Sequence, residues 1–188
     1  MKNGVKVLIA VAAVIVVIIG IFAGGYNSLV KAQTNVETKQ ADIQTQLQRR
    51  ADLIPNFVST VKGYTKYEQE TLTAVTEARA KIGSANSARS LSEADEELDK
   101  AISVWVNAVT EAYPDLKANS NYIALQDELA GTENRIAVAR KDYNEAVQSY
   151  NAMIKKFPKN IIAGMFGFEK ADFFNADSSA QTVPSVEF

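Results

Sequence analysis

Gln46-Leu47-Gln48-Arg49-Arg50-Ala51-Asp52-Leu53-Ile54-Pro55-Asn56-Phe57-Val58 is the stretch whose reading decides the fold. Helix-forming residues run into it and out of it. Leu47, Ile54, Phe57 and Val61 recur at steps of seven, three and four, the spacing of one helix face. Arg50 stands where that heptad calls for an apolar side chain. An arginine on a helix seam must find a carboxylate or bend its head out to water. Pro55 inside a helix costs roughly 3 kcal/mol and usually kinks it. The segment is therefore either a specialised core position or a site, and both readings stay open on the sequence alone.

Working outward, the same stripe extends back through Ile43, Val36 and Leu29, interrupted by Gln33 and Gln40. Forward of it, Gly63 offers a turn, since glycine costs about 1 kcal/mol in a helix. The heptad also continues through Thr71, Val75, Ala78 and Ile82, so one unbroken rod is the alternative. A polar break follows at 83–88. Ser90 or Ser92 is placed to cap the next helix, and the acidic run from Glu93 to Glu97 suits the positive end of its dipole. Leu91, Leu98, Ile102, Trp105 and Val109 form its stripe, and Tyr113-Pro114 ends it. Asn119 to Asn121 supply caps for a last helix with Tyr122, Leu125, Leu129, Ile136, Tyr143, Val147, Tyr150 and Ile154 on one face, stopping at Phe157-Pro158.

Ahead of all this, Val7 to Ala23 is apolar apart from Gly20. At 1.5 Å per residue it approaches the bilayer's hydrocarbon thickness of about 30 Å. Lys2 and Lys6 precede it, as in a signal anchor. Ala23-Gly24-Gly25 has the small residues of a cleavage site, but the run exceeds the usual signal core of about 7–15 residues. An uncleaved anchor in the bilayer through residues 7–23 is the reading. Lys2, Lys6 and the amino terminus favour a cytoplasmic N-terminus against Lys31 and Lys39, and so put the bundle on the extracytoplasmic side.

Lys and Arg total 20, Asp and Glu 22, for a formal charge of −2. No basic excess points to nucleic acid. The chain has neither cysteine nor histidine, which removes disulfides, thiolate and imidazole metal ligands and the commonest general base. No catalytic residue, cofactor or metal site is assigned, and a non-enzyme is expected.

The chain resembles the LemA family of bacterial membrane-anchored helical proteins. The likeness is carried by Tyr26-Asn27-Ser28-Leu29-Val30, by QLQRRADLIPNFVSTVKGY at 46–64, by Glu111-Ala112-Tyr113-Pro114-Asp115-Leu116-Lys117-Ala118 and by TENRIAVARKDYNEAVQSYN at 132–151. Phe157-Pro158, Gly167-Phe168 and Phe173-Phe174 complete it. The stripes, which need partners to bury, and the resemblance both imply an all-α, up-and-down four-helix bundle preceded by a single transmembrane helix. The expected divisions are 1–25 tail and anchor, 26–157 coiled-coil-like bundle, 158–174 aromatic-rich tail and 175–188 disordered C-terminus.

Four groups stand out as candidate sites. Arg49, Arg50 and Asp52 suit an anion or a partner surface, or pair within the bundle. Glu128, Glu133, Arg135 and Arg140 form a second charged set, but helical di-metal sites need histidine. Asn144 and Asn151, seven apart and each preceded by tyrosine, share a helix face as a polar groove or as register-setting amides. Phe166, Phe168, Phe173 and Phe174 contact the membrane surface or close the bundle end. The functional expectation is a scaffold or adaptor of the bacterial inner-membrane envelope, with envelope proteins or copies of itself as partners. A carboxylate-dependent hydrolase and a membrane-remodelling oligomer are the alternatives.

If the first and last bundle helices are antiparallel and flush, facing residue numbers add to about 183 and Tyr26 lies beside Phe157. Val36 then meets Val147, Leu47 meets Ile136, Ile54 meets Leu129 and Val61 meets Tyr122. The same register sets Arg50 opposite Glu133. Losing one member of a buried pair typically costs about 3–5 kcal/mol, so Arg50→Ala is expected to lower the unfolding free energy far more than Arg49→Ala. Thermal or denaturant melts of the two variants check this, and equal midpoints would contradict it.

Overall fold

A computed structural model describes residues 2–62 and 69–174. The Gly63 turn, the side chains of Val61 and Thr71 and the expected 175–188 tail lie outside the described residues. The elements are α1 (Lys2–Lys62), α2 (Gln69–Ser84), α3 (Ala88–Ala112), a 3-10 turn at Pro114–Ala118, α4 (Ser120–Lys155) and α5 (Lys159–Phe166). The chain divides into two compact units, one of residues 1–38 with 145–171 and one of 39–144 with the chain from Asp172.

In the first unit α1 begins as the apolar span, whose residues from Val5 to Ile21 are exposed, and no linker separates it from the first core residue, Leu29. Leu29, Ile162 and Ala163 form a buried cluster that Phe22, Met153, Ile154 and Phe168 pack against. Gly25 lies directly under Ile162 of α5: a Cβ there would collide with the Ile162 Cδ1 atom, and that side chain would have to move. Gly167 ends α5 at φ 73°, a left-handed conformation that costs glycine little, and the Phe168 N–H closes onto the Ala163 carbonyl at 3.0 Å. Tyr26 stacks on Phe166 and Phe168, with centroids at 4.8 and 5.7 Å. The expected Tyr26–Phe157 neighbourhood is therefore corrected. Phe157 is 80% exposed, because α4 stops at Lys155 and α5 supplies the aromatic ring instead.

The second unit holds the four-helix bundle. α1 runs through Pro55, which removes the N–H that would bond the Ala51 carbonyl, and ends at Lys62. Arg79 on α2 donates to Asp52 on α1 at 2.9 Å. In one continuous rod these residues would stand about 40 Å apart, so α2 returns alongside α1 and the unbroken rod is excluded. α3 starts earlier than expected. Ser87, extended at φ −133° and ψ 159°, accepts the Ser90 N–H while Ser90 Oγ accepts the Ser87 N–H, so Ser90 completes a capping box rather than being the cap. The earlier start lets Ala88 join Leu91 on the buried face. Tyr113 leaves helical geometry ahead of Pro114, and Asn119 Oδ1 accepts the N–H groups of Asn121 and Tyr122 at the start of α4.

The bundle core is continuous from Ile43, Leu47, Ala51, Ile54 and Phe57 to Val75, Ile82, Leu98, Trp105, Ile136 and Tyr143. Phe57 meets Trp105 and Tyr122 edge-on, each at 5.2 Å. α4 is antiparallel to α1: Lys39 reaches Asp142 at 3.3 Å and Arg50 reaches Glu133 at 2.6 Å. Those residue numbers add to 181 and 183, close to the register read from the apolar stripes.

Candidate functional site

The second unit carries charge inside its helix seams. Arg50, 5% exposed, donates through Nη1 to Glu133 on α4 and through Nη2 to Asp99 on α3. One guanidinium thus ties three helices together, using the two-pronged geometry that lysine lacks. Asp95 on α3 is 1% exposed and pairs with Arg140 on α4. Its Oδ1 has no hydrogen-bond partner among the described residues. Burial pushes the Asp95 carboxyl up to about 6, against the opposing pull of Arg140 and Arg50 and with a push from Glu133.

The surrounding charges are also paired. Arg49 donates to Glu128 at 2.8 Å, Glu128 also accepts from Arg135 at 2.9 Å, and Asp52 accepts from Arg79 and Gln48. Arg49 and Asp52 therefore do not converge with Arg50 on an anion pocket; each is engaged by a different helix. Glu128, Glu133, Arg135 and Arg140 divide among three groups: Glu128 and Arg135 with Arg49, Glu133 with Arg50 and Asp99, and Arg140 with Asp95. Among the described residues no cluster of acidic side chains has the arrangement of a metal site.

The two asparagines act on the tail. In the first unit Asn151, 7% exposed, donates through Nδ2 to the Ala171 carbonyl (2.8 Å) and accepts the Ala171 N–H (2.9 Å). In the second unit Asn144 treats Phe174 the same way, at 3.0 and 2.9 Å. A carboxamide presents one acceptor and two donors, so a single side chain satisfies both backbone groups of one residue. Asn144 and Asn151 stand seven residues apart in the sequence, and Ala171 and Phe174 three apart. The Tyr143 hydroxyl donates to the Asp172 carbonyl between them, at 2.8 Å. Burial pushes the Tyr143 phenol upward, with Asp172 adding to it. Phe174 is 4% exposed and lies under the Arg140 guanidinium, 5.4 Å from its centroid.

The four phenylalanines therefore separate. Phe174 is taken into the second unit's core, which removes it from the expected membrane contact, and Phe168 is half-buried against the first unit's core. Phe166 is 57% and Phe173 42% exposed.

Asp95 and Asp99 are the site residues that the sequence reading does not single out, and Arg140, grouped there with Glu128, Glu133 and Arg135, pairs instead with Asp95. The signal for two of them was present. Leu91, Asp95, Leu98 and Ile102 follow one seam, and so do Ile136, Arg140, Tyr143 and Val147. Asp95 also falls in the acidic run from Glu93 to Glu97, where attraction to a helix N-terminus accounts for its charge and masks its seam position. Asp99 lies beside the seam and has no such mark.

An apolar membrane span running directly into a bundle locked by internal ion pairs defines a membrane-anchored all-α protein. A family model described as the LemA family matches residues 39–188, and the chain belongs to that family. It is 29% identical to Protein LemA of Metamycoplasma hominis, over 82% of this chain and 68% of that one. It is 26% identical to Magnetosome protein MamQ 2 and to Magnetosome protein MamQ 1 of Paramagnetospirillum magneticum, in each case over 84% of this chain and 67% of the relative.

The raised Asp95 carboxyl makes a signed prediction. Its folded value, about 6, exceeds its ordinary value of 3.8. Its contribution to stability is thus fully present below about pH 4 and lost as pH rises through about 6. Two pH units correspond to roughly 3 kcal/mol. Urea unfolding of the native chain and Asp95→Asn in detergent, between pH 4.5 and 7.5, is expected to show the native chain losing stability relative to the variant by up to that amount. A pH-independent difference would contradict it.

Proposed function

We propose that this protein is a non-catalytic scaffold or adaptor of the bacterial inner membrane, with its bundle on the extracytoplasmic side. The observation that carries the reading is the continuity of α1. Membrane span and first bundle helix are one element of 61 residues, so no flexible linker intervenes at the bilayer. A tethered enzyme or capture domain gains from a long flexible linker, which lets it search; a platform gains from a stiff one.

The hydrolase alternative needs two carboxyls facing an open cleft, roughly 5–9.5 Å apart in the glycosidase case. Asp52, Asp95, Asp99, Glu128 and Glu133 are each held by an arginine, which favours the scaffold. The names of the relatives, Protein LemA and Magnetosome protein MamQ, designate no reaction. Val104 on α3, Ile123 and Val138 on α4 are large apolar side chains with 59%, 43% and 61% exposure and are the best candidates for contact with envelope proteins or a second copy.

Photo-crosslinking in native membranes tests this. With p-benzoylphenylalanine replacing Val104 or Val138 in the full chain, discrete protein adducts are expected, identified by mass spectrometry as membrane or envelope proteins or as this chain. The absence of protein adducts at both positions would overturn the scaffold reading.

A further inference from the structure

We propose that α5 and the turn after it form a phospholipid-binding wedge, inserted into the leaflet on the bundle's side and selective for anionic headgroups. This goes beyond the scaffold reading and does not rest on it.

The depth of α5 follows from what it touches in the first unit. Its first residue, Lys159, donates to Ser28 Oγ at 2.8 Å. Midway, Ile162 covers Gly25. Its last residue, Phe166, lines a cleft of about 450 Å³ with Ile18, Ile19, Phe22, Ala23 and Tyr26. α5 therefore descends along α1 from Ser28 toward the apolar span, Gly167 reverses the chain, and Phe168 returns to stack on Tyr26. Ile18, Ile19 and Phe22 belong to the segment that the bilayer surrounds. Phe166, at their level, meets the same acyl chains.

The side chains fit that depth. Ile162 and Ala163 face the protein, whereas Ile161, Met165 and Phe166 are 45%, 67% and 57% exposed. In water such a cluster would be costly, at about 25 cal/mol per Å² of apolar surface; against lipid it is not. Seven residues, about 10.5 Å of rise, separate Phe166 from Lys159, and Lys155 and Lys156 precede it, both exposed. Apolar residues below and lysines at the headgroup level are the layout of an interfacial helix. Just past the tip, Glu169 and Lys170 offset each other, leaving the lysine excess at the head of α5. A cleft lined by Met153, Lys156, Phe157 and Lys159, with Gln148 and Ser149, gives a headgroup room beside those lysines.

The test uses the full chain in vesicles of phosphatidylcholine and phosphatidylglycerol with brominated acyl chains. F166W keeps an aromatic ring against Tyr26, and native Trp105, buried in the bundle core, is the common background. The added emission of F166W is expected to fall by about half or more on bromination, while that of I123W does not change. Unquenched F166W emission overturns the wedge and points to another cover for α5, such as a second copy. In spin-labelled lipid measurements the chain is expected to prefer phosphatidylglycerol to phosphatidylcholine by more than about fivefold, since each lysine near an anionic surface contributes about that factor. Lys155→Gln with Lys156→Gln, both at exposed positions, is expected to abolish most of that preference. An unchanged preference overturns the headgroup assignment.

Discussion

Arg50 is the residue the bundle is arranged around. A guanidinium that is 5% exposed is tolerable only where carboxylates meet it, because desolvating an unpaired charge costs several kcal/mol. Glu133 and Asp99 meet it from α4 and α3, which sets two helices against α1 at once. Apolar stripes alone discriminate weakly between registers, since a shift by one heptad again puts aliphatic against aliphatic. A charged seam position does discriminate: a slip would leave Arg50 facing the wrong side chains. Asp95 and Arg140 repeat the device between α3 and α4.

The second constraint is the tail. Asn151 and Asn144 grip Ala171 and Phe174 through backbone atoms, and the Phe174 ring is held besides by the core and by Arg140. The two N–H and two C=O groups of Ala171 and Phe174, which would otherwise need water or a helix partner, are satisfied by two amides. In the first unit the helices are α1, α4 and α5; there the α4 face carrying Tyr150 and Asn151, both buried, is covered by this non-helical chain. The Tyr150 phenol is pushed upward by burial, and then by Glu169 and Glu37, the mark of a hydroxyl enclosed between α1 and the tail.

Much of the architecture was legible because its causes are periodic. Heptad stripes gave the helices, and complementarity of two stripes gave a register in which residue numbers 50 and 133 face each other. What escaped had local or conformational causes. Whether α1 stopped near Gly63 was undecidable from a heptad that ran on through Val75 and Ile82; the Arg79–Asp52 contact decides it. The asparagine pair was visible as a polar line on one face, but its ligand is the backbone, which leaves no trace in composition. Phe166 and Phe168 are alike in sequence and differ because Gly167 turns the chain, placing them on opposite arms, whereas Phe174 differs from Phe173 through its hold on Asn144 and the core.

This arrangement makes the Arg50–Glu133 contact a specific energetic link rather than a geometric coincidence. A double-mutant cycle with Arg50→Ala, Glu133→Ala and the double variant, measured by denaturant unfolding of the full chain in detergent, isolates that link. A coupling energy of about 1.5–3 kcal/mol is the predicted result. Additivity of the two substitutions, within about 0.3–0.5 kcal/mol, would contradict it.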